Sequence, residues 1–260
     1  MTDLEYAIVC IAALLASGLT LFSGFGLGTL LMPVVAIFFP LEIAIAITAV
    51  VHFSNNLFKL ALMGHHADRS ILLKFGLPAV IAALIGAALL HWLGAVPPVF
   101  QYTAFGRELA VSPLKLVVGI LIIFFVSLEL SERFSKLELD RKWLPLGGAV
   151  SGFFGGLSGH QGAFRSMFLL KTGIGKEAFV ATGIVLAVMV DMTRMVVYGA
   201  GASAYSEDVQ WGMVVVACVS AFLGAYIGAK ILKKVTIRAV QISVSSLLIL
   251  VSIGLITGLV

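Results

Sequence analysis

The residues able to do chemistry in this 260-residue chain stand isolated among apolar ones. The densest group is Ser158-Gly159-His160-Gln161-Gly162, with Arg165 shortly after it. In a second group, His52 has Asn55 and Asn56 at i,i+3 and i,i+4, so all three share one helical face. Asp191 and Arg194 form a third at i,i+3. A glycine run, Ser23-Gly24-Phe25-Gly26-Leu27-Gly28, offers mainly backbone. An ionisable group at the centre of a membrane helix costs about 2.5–3.5 kcal/mol by insertion scales, and such residues usually mark function.

These types suit the binding of an anion. A glycine-broken helix restarts with unpaired N–H groups and a positive dipole end. Two such restarts, near Leu27 and Gly162, facing each other at the membrane midplane would hold a negative group, and glycine lets the backbone approach it. Arg165, one turn past the second break, would add charge and a planar fork matched to paired oxygens. The expected substrate-binding set is therefore Gly24, Gly26, Gly28, His52, Asn55, Asn56, Ser158, Gly159, His160, Gln161, Gly162 and Arg165. Asp191 and Arg194 either neutralise each other or serve coupling or gating. His52, Asn55 and Asn56 either meet ligand or hydrogen-bond a neighbouring helix. His160 either binds substrate or titrates. Gly18, Gly86, Gly152 and Gly224 read as helix-packing positions, and Gly86→Ala is expected to be mild. His65 and His66 read as solvated loop residues, and Cys10 and Cys218 as small hydrophobes, so neither a metal site nor a cofactor is expected.

The elements that must carry these residues are membrane helices. Hydrophobic residues make up 60% of the chain and charged ones 12%, against about half and a quarter in a soluble domain. Apolar segments run over 4–39, 42–63, 71–95, 113–130, 143–172, 176–199, 209–232 and 239–259. The first and fifth are too long for one crossing, since about 20 residues span the core. Both contain the glycine runs and read as helices that break and fold back. Most of the 17 basic residues lie in four clusters: Lys59, Arg69, Lys74; Arg133, Lys136, Arg141, Lys142; Lys171, Lys176; and Lys230, Lys233, Lys234, Arg238. The positive-inside rule accounts for this basic balance without nucleic acid as a partner. Placing all four clusters in the cytoplasm requires both long segments to fold back, and puts both termini on the periplasmic side. The start, Met1-Thr2-Asp3-Leu4-Glu5, is acidic where a signal peptide is basic, so the first segment is expected to be retained.

The halves resemble each other. Ser17-Gly18 and Gly28 align with Ser151-Gly152 and Gly162; Glu42, Asn56, Lys59 and Gly64 align with Glu177, Asp191, Arg194 and Gly199; Ala83 to Ala87 aligns with Ala221 to Ala225. The expected fold is an all-α polytopic membrane protein with two inverted-topology repeats, 1–135 and 140–260. Each holds one fold-back (4–39 or 143–172) and three transmembrane helices. Three crossings are odd, so the second repeat inserts upside down.

The segments SGLTLFSGFGLGTLLMP and SGFFGGLSGHQGAFRSM resemble the paired signature regions of the TauE/SafE (sulfite exporter) family. The resemblance covers essentially the whole chain. It implies an anion permease of the cell inner membrane, not an enzyme, that exports sulfite, sulfoacetate, taurine or another organosulfonate. The first break has fewer glycines than in many members, and the second is more polar. The implied partners are a small anion and membrane lipid; a homodimer is compatible with the sequence. A channel of the same fold would share the site. A different class is raised by Gly156-Leu157-Ser158-Gly159, which fits the Gly-x-Ser-Gly of rhomboid intramembrane proteases, with His52 and Asn56 resembling their His-x-x-x-Asn. Those enzymes take their base from a later helix, and no histidine follows His160.

Overall fold

The computed structural model describes residues 3–20, 27–104, 106–131, 133, 139–170, 172–201, 210–231 and 237–259. Helix dominates, because lipid offers no partner to a free backbone N–H or C=O. In chain order the helices are α1 (Asp3–Thr20), α2 (Leu27–Ala36), α3 (Leu41–Met63), α4 (Arg69–Ala95), α5 (Pro113–Leu130), α6 (Leu144–Ser158), α7 (Gly162–Leu170), α8 (Lys176–Gly201), α9 (Trp211–Ile231) and α10 (Ile237–Thr257). Among the described residues, α3, α4, α5, α8 and α9 are the five long and apolar enough to cross a membrane.

Each of the two overlong segments holds two helices. α2 has 10 residues, α6 has 15 and α7 has 9. At about 1.5 Å per residue none of these reaches across a core about 30 Å thick. Residues 21–26, with Gly24 and Gly26, lie outside the described residues. α1 packs on α2, and α6 on α7.

Two features were not foreseen. The stretch 96–112, between the apolar segments 71–95 and 113–130, holds an antiparallel hairpin, β1 (Phe100–Ala104) with β2 (Arg107–Val111), turned at Gly106 with φ +71°. α4 contains one π turn over Leu72–Gly76.

Beside a buried hydrophobic core, burial departs from that of a water-soluble protein. Leu73, Leu77, Ile81 and Ile85 of α4 are exposed, whereas His52, Asn55, Asn56, Gln161, Asp191 and Arg194 are buried. Among the described residues, Arg194 is the largest fully enclosed side chain. A solvent of lipid favours this distribution. Trp92, Trp143 and Trp211 are exposed close to helix ends, as an interfacial aromatic belt would have them.

Helix pairing is reciprocal between the halves. α4 lies along α6 and α1 along α9, while α3 packs on α8 and α5 on α10. Small residues make the first two pairings close. A Cβ at Gly148, Gly152 or Gly156 would come within 2.0, 2.1 and 2.2 Å of the carbonyl oxygens of Phe75, Ala79 and Ala83. One at Gly86 would meet Phe153 O at 2.1 Å, and one at Gly224 would meet Leu14 O at 2.1 Å. The packing role expected for Gly86, Gly152 and Gly224 agrees with these contacts. The mild effect expected of Gly86→Ala does not: a methyl there strikes backbone, which cannot yield as a flexible side chain does.

Contacts at the helix ends tie the elements together. Tyr6 Oη donates to Gln210 Oε1 at 2.8 Å, joining the starts of α1 and α9. Tyr102 Oη of the hairpin donates to Thr257 O at 2.5 Å, at the end of α10. Beyond the end of α3, His66 Nε2 lies 3.4 Å from Glu177 Oε2, and Asp68 N–H donates to Thr182 Oγ1 at 2.9 Å, both at the start of α8.

Candidate functional site

The second break follows from local chain chemistry. α6 stops at Ser158 because Gly159 turns left-handed (φ +81°), a conformation a Cβ disfavours, and its N–H closes onto Gly155 O at 3.0 Å. α7 starts at Gly162, and Arg165 N–H donates to Gln161 O at 3.1 Å. Ser151 Oγ of α6 donates to the same carbonyl at 3.0 Å, holding the break against the helix before it.

Polar side chains from α3, the break and α8 converge on one carboxylate. His52 Nδ1 lies 2.6 Å from Asp191 Oδ2, the spacing of a ring N–H donating to a carboxylate. Arg194 Nε donates to Asp191 Oδ1 at 3.0 Å, and its Nη2 lies 2.9 Å from the same oxygen. Gln161 Nε2 donates to Oδ1 at 3.4 Å, and Asn56 Nδ2 to Oδ2 at 3.5 Å. Asn56 Nδ2 also sits 3.2 and 3.3 Å from the two nitrogens of His52. A buried carboxylate needs this density of donors to stay ionised away from water. Arg194 and Asp191 neutralise each other, one of the two readings their spacing allowed.

Arg165 is not in that pair. Its Nη1 donates to Gln161 Oε1 at 3.4 Å, so its hydrogen-bonded link to Asp191 runs through the glutamine. Among the described residues it makes no ion pair of its own. Lys59, half-buried on α3, lies near enough to feel its charge. The cluster thus holds two arginines near one carboxylate, with Lys59 on the Arg165 side, which suits an anion.

The start of α2 faces this break. A Cβ on Gly28 would lie 3.9 Å from Gly159 O and 3.7 Å from Thr48 Cγ2. Gly28 of the first half and Gly159 of the second are therefore neighbours. The Cβ position of Gly159 lies 2.9 Å from Arg194 Nη1, so the turn glycine also makes room for the guanidinium.

His160 turns elsewhere: its ring stacks on Phe125 of α5 with centroids 5.1 Å apart and planes 11° apart. Its Nδ1 is 3.0 Å from both Ser158 O and Ser158 Oγ, while Ser158 Oγ lies 3.2 Å from Phe154 O. Nδ1–H donating to Ser158 O leaves the serine hydroxyl bound back to its own helix, not poised as a nucleophile beside a base. Asn55 joins the first half to itself, accepting at Oδ1 from Ser17 Oγ at 3.2 Å.

Three residues of this region were missed in the sequence. Tyr198 Oη donates to Gly156 O at 2.7 Å, Ser151 braces the break, and Thr48 lies beside Gly28. Ser17 and Ser151 did align between the halves, and that shared position was the available signal. Thr48 and Tyr198 had none.

A search of curated proteins and a search of solved structures each return no match. The family model described as Sulfite exporter TauE/SafE matches residues 9–255, nearly the whole chain. With its membrane-spanning helices and a buried, cation-rich polar centre, the chain belongs to the TauE/SafE family and is a multi-pass membrane protein of anion transport, not an enzyme.

Proposed function

We propose that this protein exports a small sulfur-containing anion (sulfite, sulfoacetate, taurine or a related organosulfonate) across the inner membrane by alternating access around one midplane site. The observation that carries the reading is the meeting of Gly28, at the start of α2, with the Gly159 break, beside an Arg165 that forms no ion pair among the described residues. Two half-helix starts supply N–H donors and dipole, and Arg165 supplies the fork. Gly28, His52, Asn55, Asn56, Ser158, Gly159, His160, Gln161, Gly162 and Arg165 form or border the site. Asp191 and Arg194 form a buried hub that can gate it.

The architecture in this reading is two inverted repeats, 1–135 and 140–260, with both termini periplasmic. Reciprocal helix pairing supports it. The end contacts support the fold-backs. α3 ends where α8 starts, so α9 starts at the face where α3 starts; Tyr6 bonds Gln210 there, which brings α1 in on the face from which α3 departs. An interior-negative potential drives an anion outward with about 2.3 kcal/mol per charge per 100 mV. The test is a thermal-shift screen of purified protein against sulfite, thiosulfate, taurine, sulfoacetate and sulfolactate. A ligand of the native state raises the melting temperature; no shift with any of them counts against this substrate class.

A further inference from the structure

We infer that the Thr48 hydroxyl is a further substrate-binding donor, working with the start of α2 to select an oxyanion; the inference rests on the anion site proposed above. Thr48 lies one turn before His52 on α3, so the two share a face. It is 2% exposed, and its Oγ1 has no hydrogen-bond partner. Its Cγ2 lies 3.7 Å from the Cβ position of Gly28, so the side chain packs against the first turn of α2 by its methyl, while Oγ1, on the same carbon, lies more than 4 Å from that position. Helical hydroxyls in lipid ordinarily turn back on their own helix. Ser127, Thr193, Ser252 and Thr257 each donate to the carbonyl four residues earlier, at 2.6 to 2.7 Å. Thr48 does not, and a buried hydroxyl left unpaired is costly.

Asn55, two turns along α3, shows the same imbalance. Its Oδ1 accepts from Ser17, while its Nδ2 has no partner at 1% exposure. The first half therefore offers uncharged donors: the opening N–H groups of α2, a hydroxyl and an amide. The second half offers charge through Arg165. A guanidinium attracts any anion, whereas hydroxyl and amide donors reward one with several acceptor oxygens. Sulfonate, sulfite and carboxylate groups have them; a halide of the same charge presents a single spherical surface.

The test uses the whole purified protein in proteoliposomes, with sulfite and sulfoacetate as probes and chloride as competitor. Thr48→Val keeps the shape and removes the donor. We expect its KM for both oxyanions to rise about tenfold, the loss of roughly one hydrogen bond, with weaker discrimination against chloride. Thr48→Ser should restore KM to within about threefold. Because an unpartnered buried hydroxyl is replaced by a methyl group, the ligand-free melting temperature of Thr48→Val should hold or rise. An unchanged oxyanion KM in Thr48→Val overturns the inference while leaving the site reading intact. So does a fall in ligand-free melting temperature that Thr48→Ser reverses, which marks Thr48 as structural. A wild type that moves neither probe overturns the site reading, and this inference with it.

Discussion

The Asn56 amide lies 3.5 Å from the Asp191 carboxylate, Nδ2 to Oδ2, across the contact of α3 with α8. The two residues hold matching positions in the two halves of the sequence, as do Lys59 and Arg194. In the inverted-repeat reading proposed above, matched residues touch because a two-fold relation passes between them. The chemistry there is not symmetric, because one half contributes an amide and the other a carboxylate with its own arginine.

That asymmetry makes the hub a stability element. Asp191→Asn leaves the buried Arg194 without its carboxylate, and Arg194→Gln leaves the buried Asp191 without its guanidinium, at about 3–5 kcal/mol. Both singles should lower the ligand-free melting temperature sharply, and the double substitution should recover much of it. Additive losses in the double would show that the two residues do not act as a pair.

Glycines at two kinds of position should respond oppositely to alanine. Gly86→Ala and Gly224→Ala drive a methyl against a carbonyl 2.1 Å away and should reduce the yield of folded protein or lower its melting temperature strongly. At Gly28 the nearest atoms to a new Cβ stand at 3.7 and 3.9 Å, ordinary contact. Alanine is also the better helix former by about 1 kcal/mol. Gly28→Ala should fold as well as the wild type yet bind anion more weakly, because the methyl occupies the approach to the α2 backbone. Equal binding by Gly28→Ala in a titration would place the ligand elsewhere.

Arg165 should prove separable from folding. Its bond to Gln161 is long at 3.4 Å, and it makes no direct bond to Asp191. Arg165→Gln should leave the ligand-free melting temperature within a few degrees of wild type and remove the ligand-induced shift. Arg165→Lys should recover only part of it, keeping the charge but losing the bidentate fork. A large loss of ligand-free stability in Arg165→Gln would assign the residue to structure instead.

Much of this fold was legible because lipid imposes simple rules. The segment expected at 113–130 is Pro113–Leu130, and the break expected near Gly159 lies there, since glycine marks where a helix ends in lipid. The pairing of His52 with Asp191 was not legible, because nothing along the chain says which faces of α3 and α8 meet. Thr48 carries no pattern of its own; it matters through its register against Gly28, a tertiary fact. The hairpin Phe100–Val111 was overlooked because a short polar and aromatic stretch between apolar runs reads as loop. Gly86 was misjudged for a related reason: sequence marks it as small but does not say that the atom facing it is a carbonyl.

Sidedness is open to labelling. Single cysteines at Asp3, in the first turn of α1, and at Gln210, which Tyr6 of α1 bonds, should react with an impermeant thiol reagent outside intact cells. Cysteines at His66 and Glu177, which meet beyond the end of α3, should react only after the membrane is opened. Labelling of Asp3 and His66 from the same side would overturn the fold-back of the first segment.

Flux through the purified protein bears on the site itself. Proteoliposomes loaded with labelled sulfite or sulfoacetate, under an imposed potential, should show saturable anion movement that unlabelled anion on the far side accelerates. Arg165→Gln, inserted to the same level, should abolish it. Flux that never saturates and gains nothing from anion on the far side, or that persists undiminished without the Arg165 guanidinium, would contradict alternating access around this site.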